Sequence, residues 1–185
     1  MRLVKNLCRI IVGIVFIYSG FVKGIDPLGS DYKFTDYFNA FGMGWMNATT
    51  LFFSFALSLV EFLIGIALLF NLWVSRMAWG SLLFMAFFTP LTLVLALTNP
   101  VSDCGCFGDA MILTNWQTFW KNIILLLLAI MIFMYRKEYK SSLPLVGQFS
   151  FLALAGAGML CLSVYCYRHL PVLDFRPYAV GKNIT

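Results

Sequence analysis

In this chain of 185 residues, 61% are hydrophobic and only 11% are charged, whereas globular domains run at roughly 45–50% and about 25%; a soluble core cannot absorb that much apolar surface, so lipid is the solvent the composition fits. The length suits a single domain. The formal charge of +5 would suit nucleic acid in a soluble protein, but the basic residues stand at the ends of apolar runs, where the positive-inside bias accounts for them, and with no basic stripe, zinc finger or phosphate loop a nucleic-acid partner is excluded.

Five runs reach the length of about 20 mostly apolar residues that a spanning helix needs. They are read as helices because backbone polar groups in lipid must be paired within the segment. The first covers residues 3–23, around "IIVGIVFIYSGFV". Arg2, Lys5 and Arg9 ahead of it also describe a signal peptide, but "GFVKGIDP" offers no small-x-small cleavage site, so an uncleaved helix is expected. Residues 31–46 fit no span. Phe34, Tyr37, Phe38, Phe41 and Trp45 recur there at helical spacing, which predicts a helix lying in the interface, the alternative being an aromatic-belt loop. The second span runs from Thr50 to Phe70 and the third from Trp73 to Leu97. Pro90 should kink the third, and Asn99-Pro100 should end it. The fourth runs from Trp116 to Tyr135 and the fifth from Leu145 to Tyr167. Small residues in "LALAGAGM", residues 152–159, suit close helix packing of the fifth, whereas Gly24 is expected past the end of the first helix. The division expected is a five-helix domain over 1–168 and an extracytoplasmic tail over 169–185.

Lys and Arg cluster at the start of the first helix and in "YRKEYK" after the fourth. These clusters place the N-terminus in the cytoplasm and the C-terminus outside. The polar gap "NPVSDCGCFGDAM", residues 99–111, then faces the periplasm, where disulfides persist.

That gap holds two of the five cysteines, Cys104 and Cys106. A disulfide across one intervening residue is strained, because its dihedral and Cα separation are hard to reach in so small a ring. Gly105 eases the backbone, and strain makes such a bond oxidising and labile. Asp103 and Asp109 disfavour a thiolate when ionised, and a protonated one can shuttle protons. Three other readings stay open. The cysteines can bond elsewhere as static staples, stay an idle pair of reduced thiols, or ligate metal with Asp103, Asp109 or His169, although structural zinc needs a second Cys or His pair that the chain lacks.

Cys161 and Cys166 lie in the outer half of the fifth helix, offset by about 140°. Cys166, nearer the outer surface, is the relay candidate, and packing as small apolar residues is the alternative for both. Cys8 is read as a cytosolic-side thiol without function. Glu61, central in the second helix, costs about 2.5–3.5 kcal/mol in lipid and should face the bundle. Arg9, Tyr18, Ser19 and Lys23 are its candidate partners. It serves either as a proton relay or quinone contact, or as an interhelical hydrogen bond. His169, the only histidine, follows the last helix and excludes a Ser-His-Asp set.

"RIIVGIVFIYSGFVKGIDP", Glu61 and "DCGCFGD" together resemble the DoxX/MauE superfamily of small bacterial membrane proteins, most closely its methylamine-utilisation MauE branch, over roughly residues 2–135. The tail "HLPVLDFRPY" is similar to Bacteroides-type members. The resemblance implies an all-α membrane protein: a DoxX/MauE-like four-helix bundle, here with a fifth transmembrane helix. It implies support of disulfide formation in exported partner proteins, with Cys104 and Cys106 in the redox role. The likeness of DoxX relatives to quinone-linked systems makes a quinone the conceivable acceptor. The architecture is also similar to the vitamin K epoxide reductase group, from which this chain departs in having no Cys-x-x-Cys in its last helices. No residue specifies methylamine itself. The expected function is therefore that of an inner-membrane thiol–disulfide redox protein or its accessory. It would use Cys104, Cys106, Asp103, Cys166 and Glu61 and exchange with an exported thioredoxin-like or disulfide-containing partner. The rivals are a non-catalytic assembly factor whose cysteines brace a loop, and a small proton-coupled transporter using Glu61.

Overall fold

A computed structural model describes residues 2–101, 104–141, 143–169, 171–173 and 175, with the backbone alone for Arg2 and Asp109. The described residues form six α-helices and no strand: α1 (Arg2–Ile25), α2 (Pro27–Ala40), α3 (Thr50–Leu69), α4 (Val74–Thr98), α5 (Asn115–Met134) and α6 (Leu145–Arg168). All but α2 are long and apolar enough to cross a membrane, so the chain is an all-α, multi-pass membrane protein. The five spans expected from the sequence end within two residues of those observed.

The tightest crossing joins α1 to α3. A Cβ built on Gly20 would lie 2.6 Å from the Phe62 nitrogen, and one on Gly65 would lie 2.5 Å from the Ile17 nitrogen. The two backbones therefore touch, which only glycine permits at those positions. The 152–159 stretch was expected to supply such a contact and does so less closely. Gly156 meets only the side chains of Leu59 and Leu63, and a Cβ on Gly158 would meet nothing within 4 Å. Gly24 lies inside α1, not past its end, and packs against Met159 of α6. α4 and α5 form a second closely packed pair, whereas α3 and α4 are thinly joined. The core between the pairs is built from Val12, Phe16, Leu68, Ala129 and Ile132.

α2 corrects the expected interfacial helix. It starts four residues earlier than predicted because Asp26 caps it: the Gly29 nitrogen donates to Asp26 Oδ1 at 3.0 Å, and Pro27 takes the first turn. It ends at Ala40, before Gly42 turns the chain at φ +70°. Residues 44–49 then form a 3-10 turn. Phe34 and Phe38 pack on Phe53 of α3, at centroid distances of 6.4 and 6.0 Å. Phe41 and Trp45 fall outside the helix, and Trp45 is exposed.

At the opposite end of the bundle, Arg9 donates to the carbonyls of Leu68 and Leu69 and closes the last turn of α3. The Tyr139 hydroxyl donates to the Lys5 carbonyl at 2.9 Å, and Lys5 pairs with Glu138 at 2.7 Å. Arg9 is therefore no partner of Glu61. α4 continues through Pro90 to Thr98 and stops at Asn99, which takes the left-handed conformation at φ 48°, one that Asn tolerates.

Candidate functional site

The 99–114 loop returns over the end of the bundle, tied at both ends. Asn115 Nδ2 donates to Asn99 Oδ1 at 2.7 Å and to the Val101 carbonyl at 2.9 Å. Thr114 and Gln117 form a reciprocal capping box that starts α5. Between these ties the two cysteine carbonyls are held from below. The Tyr37 hydroxyl of α2 donates to the Cys104 carbonyl at 2.5 Å, and Ser19 Oγ of α1 lies 2.8 Å from the Cys106 carbonyl. Phe107 wedges into the bundle, its ring 5.5 Å from Tyr18 and 4.2 Å from Lys121 Nζ. Gly105 has φ +61°, and the stem of Lys33 lies against it. The left-handed backbone favours glycine here.

Both thiols are free and half-buried, and they face one cavity. The neighbouring Cys104 thiol, with the charges of Lys121 and Lys23, brings the Cys106 thiol down to about 6, against the opposing effects of burial and Glu61. The Cys106 thiol and burial push the Cys104 thiol up. The pair therefore holds a single proton near neutral pH: Cys106 is the thiolate and Cys104 the thiol. The thiolate is the nucleophile, and in reverse the better leaving group.

Beneath the loop lies a buried polar cluster. Lys23 Nζ is 2.5 Å from Glu61 Oε2 and 3.0 Å from Ser19 Oγ, and Ser19 Oγ is 2.9 Å from the same carboxylate oxygen. All three side chains are buried. Two of the four expected partners of Glu61 thus make the contact. Ser19 has one proton and two acceptors, Glu61 and the Cys106 carbonyl, so its hydroxyl joins the ion pair to the cysteine loop. A cavity of about 70 Å3 connects these groups. Cys104, Cys106, Lys23, Lys121, Ser19 and Glu61 face it from the polar side, and Phe16, Phe84, Phe88 and Leu125 from the apolar side.

The structure brings Cys104, Cys106 and Glu61 to one cavity, and Cys166 lies elsewhere. Cys166 is buried in α6 on the stripe it shares with Met159 and Ser163, and no α6 residue lines the cavity. Cys161 is exposed, not packed in the core. Cys8 is buried near Met131, at the opposite end of the bundle from the loop. His169 stacks on Tyr165 at 4.6 Å, at the end of α6. Asp103 lies outside the described residues, as do the Asp109 side chain and most of the 169–185 tail. Sequence reasoning missed two contributors. Lys121 was not singled out, and its place two turns into α5, on the loop side, was the available signal. Tyr37 was read only as part of an aromatic stripe.

The sequence matches the family described as Methylamine utilisation protein MauE over residues 1–135, which takes in α1 to α5 and the cysteine loop. No curated protein and no solved structure matches the chain.

Proposed function

This chain belongs to the MauE family, and on that premise we propose that it is a membrane thiol–disulfide exchange protein that oxidises exported partners through Cys104 and Cys106. The observation that carries the reading is the placement of the two free sulfurs. They flank a left-handed glycine, their carbonyls are held by Tyr37 and Ser19, and they share a cavity with Lys23 and Lys121. A loop-bracing pair has no need of buried cations beside it, whereas an exchange pair uses them to stabilise the thiolate, and Cys106 is the thiol they lower.

In the oxidised form, a thiolate of the partner attacks Cys104 Sγ. The Cys104–Cys106 bond breaks, and Cys106 leaves as the thiolate that Lys121 and Lys23 stabilise. The second thiolate of the partner then attacks its own sulfur in the mixed disulfide. Cys104 leaves and takes up a proton, matching its raised pKa. Two electrons have moved from partner to loop, and the partner holds a disulfide. Cys104 is the exchanging sulfur because Cys106 is the one that feels the buried Lys23 and Glu61. Glu61 and Lys23 balance each other's charge and fix Ser19 under the loop; the route needs no sulfur from α6.

The basic clusters at the end of the bundle opposite the loop support a bacterial cytoplasmic-membrane orientation with the N-terminus inside and the loop and C-terminal tail outside. The partner is an exported thioredoxin-like or disulfide-containing protein. The test is a Cys106→Ala variant, which retains Cys104 and lacks the sulfur that would release a partner bound to Cys104 by reclosing the loop disulfide. Non-reducing electrophoresis of membranes should show reducible adducts with exported proteins. Absence of adducts in both single-cysteine variants, or full function of a Cys104→Ser, Cys106→Ser double variant, would favour an assembly factor whose cysteines only brace the loop.

A further inference from the structure

At the end of the bundle opposite the cysteine loop, charge is one-sided. That end is built from the start of α1, the turn between α3 and α4, and the link from α5 to α6. Lysine and arginine crowd these segments, and of the chain's eight aspartates and glutamates only Glu138 falls in them. Glu138 pairs with Lys5 at 2.7 Å, and Arg9 is taken up by the carbonyls that end α3. The other ion pair among the described residues joins Lys23 to Glu61. Arg76, Arg136, Lys137 and Lys140 therefore have no carboxylate among the described residues.

Two of these four cations are seated on rings. The Arg136 guanidinium lies 3.9 Å from the centre of the Phe133 ring and 5.8 Å from that of Trp79. Trp79 of α4 meets Phe133 of α5 edge to face at 4.4 Å, so the platform bridges the α4–α5 seam. Arg136 donates to the Phe133 carbonyl at 2.8 Å, which uses one of its several N–H groups. One turn from Trp79 on α4, exposed Arg76 lies 5.1 Å from the Trp73 ring. The rings hold both guanidiniums in place, so less side-chain freedom is lost when an anion binds. Toward the middle of the membrane, Trp79, Leu83 and Ile130 present exposed apolar surface.

We propose that this end of the α4–α5 seam binds an anionic phospholipid, its phosphodiester held by Arg136 and Arg76 and its acyl chains lying along Leu83 and Ile130. The inference does not depend on the exchange function. Cations without carboxylates select an anion. Guanidinium presents paired N–H groups that match phosphate oxygens, as an ammonium does not. The apolar strip below the platform selects a lipid, because a soluble phosphate would leave it uncovered, and Trp79 stands where headgroups meet the hydrocarbon. A topological signal requires only charge at this end; it gives no reason for two arginines to be ordered on rings.

The test is native mass spectrometry of the full chain released from detergent, titrated with phosphatidylglycerol, with phosphatidylcholine and with glycerol phosphate. The parent should retain phosphatidylglycerol at lower concentration than phosphatidylcholine, and glycerol phosphate should not displace it. Arg136→Gln and Arg76→Gln should each weaken retention of phosphatidylglycerol by about fivefold or more. Arg136→Lys, which keeps the charge and loses the fork, should fall between parent and Arg136→Gln. Lys137→Gln removes the same charge from an exposed side chain and should have the smallest effect. Helical signal confirms folding of each variant, and if Arg136→Gln fails to fold, the exposed Arg76 position carries the test. Equal retention of the two lipids, or equal losses in Arg136→Gln, Arg76→Gln and Lys137→Gln, would overturn the proposal and leave only diffuse attraction to charge. Displacement by glycerol phosphate would overturn it in favour of a soluble anion.

Discussion

Lys23 Nζ lies 2.5 Å from Glu61 Oε2, and both side chains are almost closed to solvent. The pair joins the loop end of α1 to the middle of α3, in the membrane-spanning part of the bundle. Removing one partner leaves the other charge buried and alone. Glu61→Gln and Lys23→Met should therefore each destabilise the fold by about 3–5 kcal/mol, whereas the double variant Lys23→Met, Glu61→Leu should recover most of that loss. Unfolding in detergent, followed by helical signal against denaturant, checks this. Equal losses in singles and double would show that the two charges are not coupled.

The Cys106 thiol, brought down from the ordinary cysteine value to about 6, fixes the pH dependence of reactivity. A lowered pKa means that the thiolate is present above about pH 6 and disappears below it. The alkylation rate of Cys106, read by peptide mass analysis, should rise through a midpoint near 6. Lys121→Met removes a charge that favours the thiolate, so the midpoint should move upward. A midpoint that stays put in the variant would remove Lys121 from the site.

Gly65 and Gly20 hold α1 and α3 at backbone contact. Gly65→Val introduces atoms where the Ile17 nitrogen and the Gly13 carbonyl already stand. It should cost about 1–3 kcal/mol or more through overpacking and move Ser19 and Lys23 away from Glu61. The same substitution at Gly158, where a Cβ meets nothing within 4 Å, should leave unfolding unchanged. Similar losses at both positions would contradict the crossing described here.

The spans were readable because twenty-residue apolar runs have one low-energy solution in lipid, and their ends were marked by Asn99-Pro100 and the basic clusters. The cysteine pair and Glu61 were readable because polar chemistry is rare in such a chain. Lys121 and Tyr37 were not, because a lysine near a helix end and a tyrosine among aromatics have ordinary explanations, and only the return of the loop over α1 and α2 brings them to the sulfurs. The start of α2 was misplaced for want of weight on Asp26-Pro27, a cap followed by a first-turn proline. Cys166 lies away from the cavity for a reason of topology. Its buried stripe meets α1 and α3 on the side away from the cavity that α4 and α5 close.

Gly105 sets the separation of the thiols, and its φ of +61° costs another residue about 1–2 kcal/mol. Gly105→Val adds to that strain a contact with the Lys33 stem, 3.0 Å from the position of a Cβ. The variant should move the two thiols apart, and the alkylation midpoint of Cys106 should rise. An unaltered midpoint would show that the turn does not hold the pair together.

Differential alkylation in intact cells probes the exchange function most directly. A membrane-impermeant maleimide is applied before and after a brief pulse of an impermeant reductant, and each cysteine is read by mass analysis. Cys104 and Cys106 should be blocked at first and react from outside after the pulse, while Cys8, buried at the opposite end, stays unlabelled. Labelling of the pair only in permeabilised cells, or thiols that no exported reductant can open, would contradict an oxidising loop on the outer face.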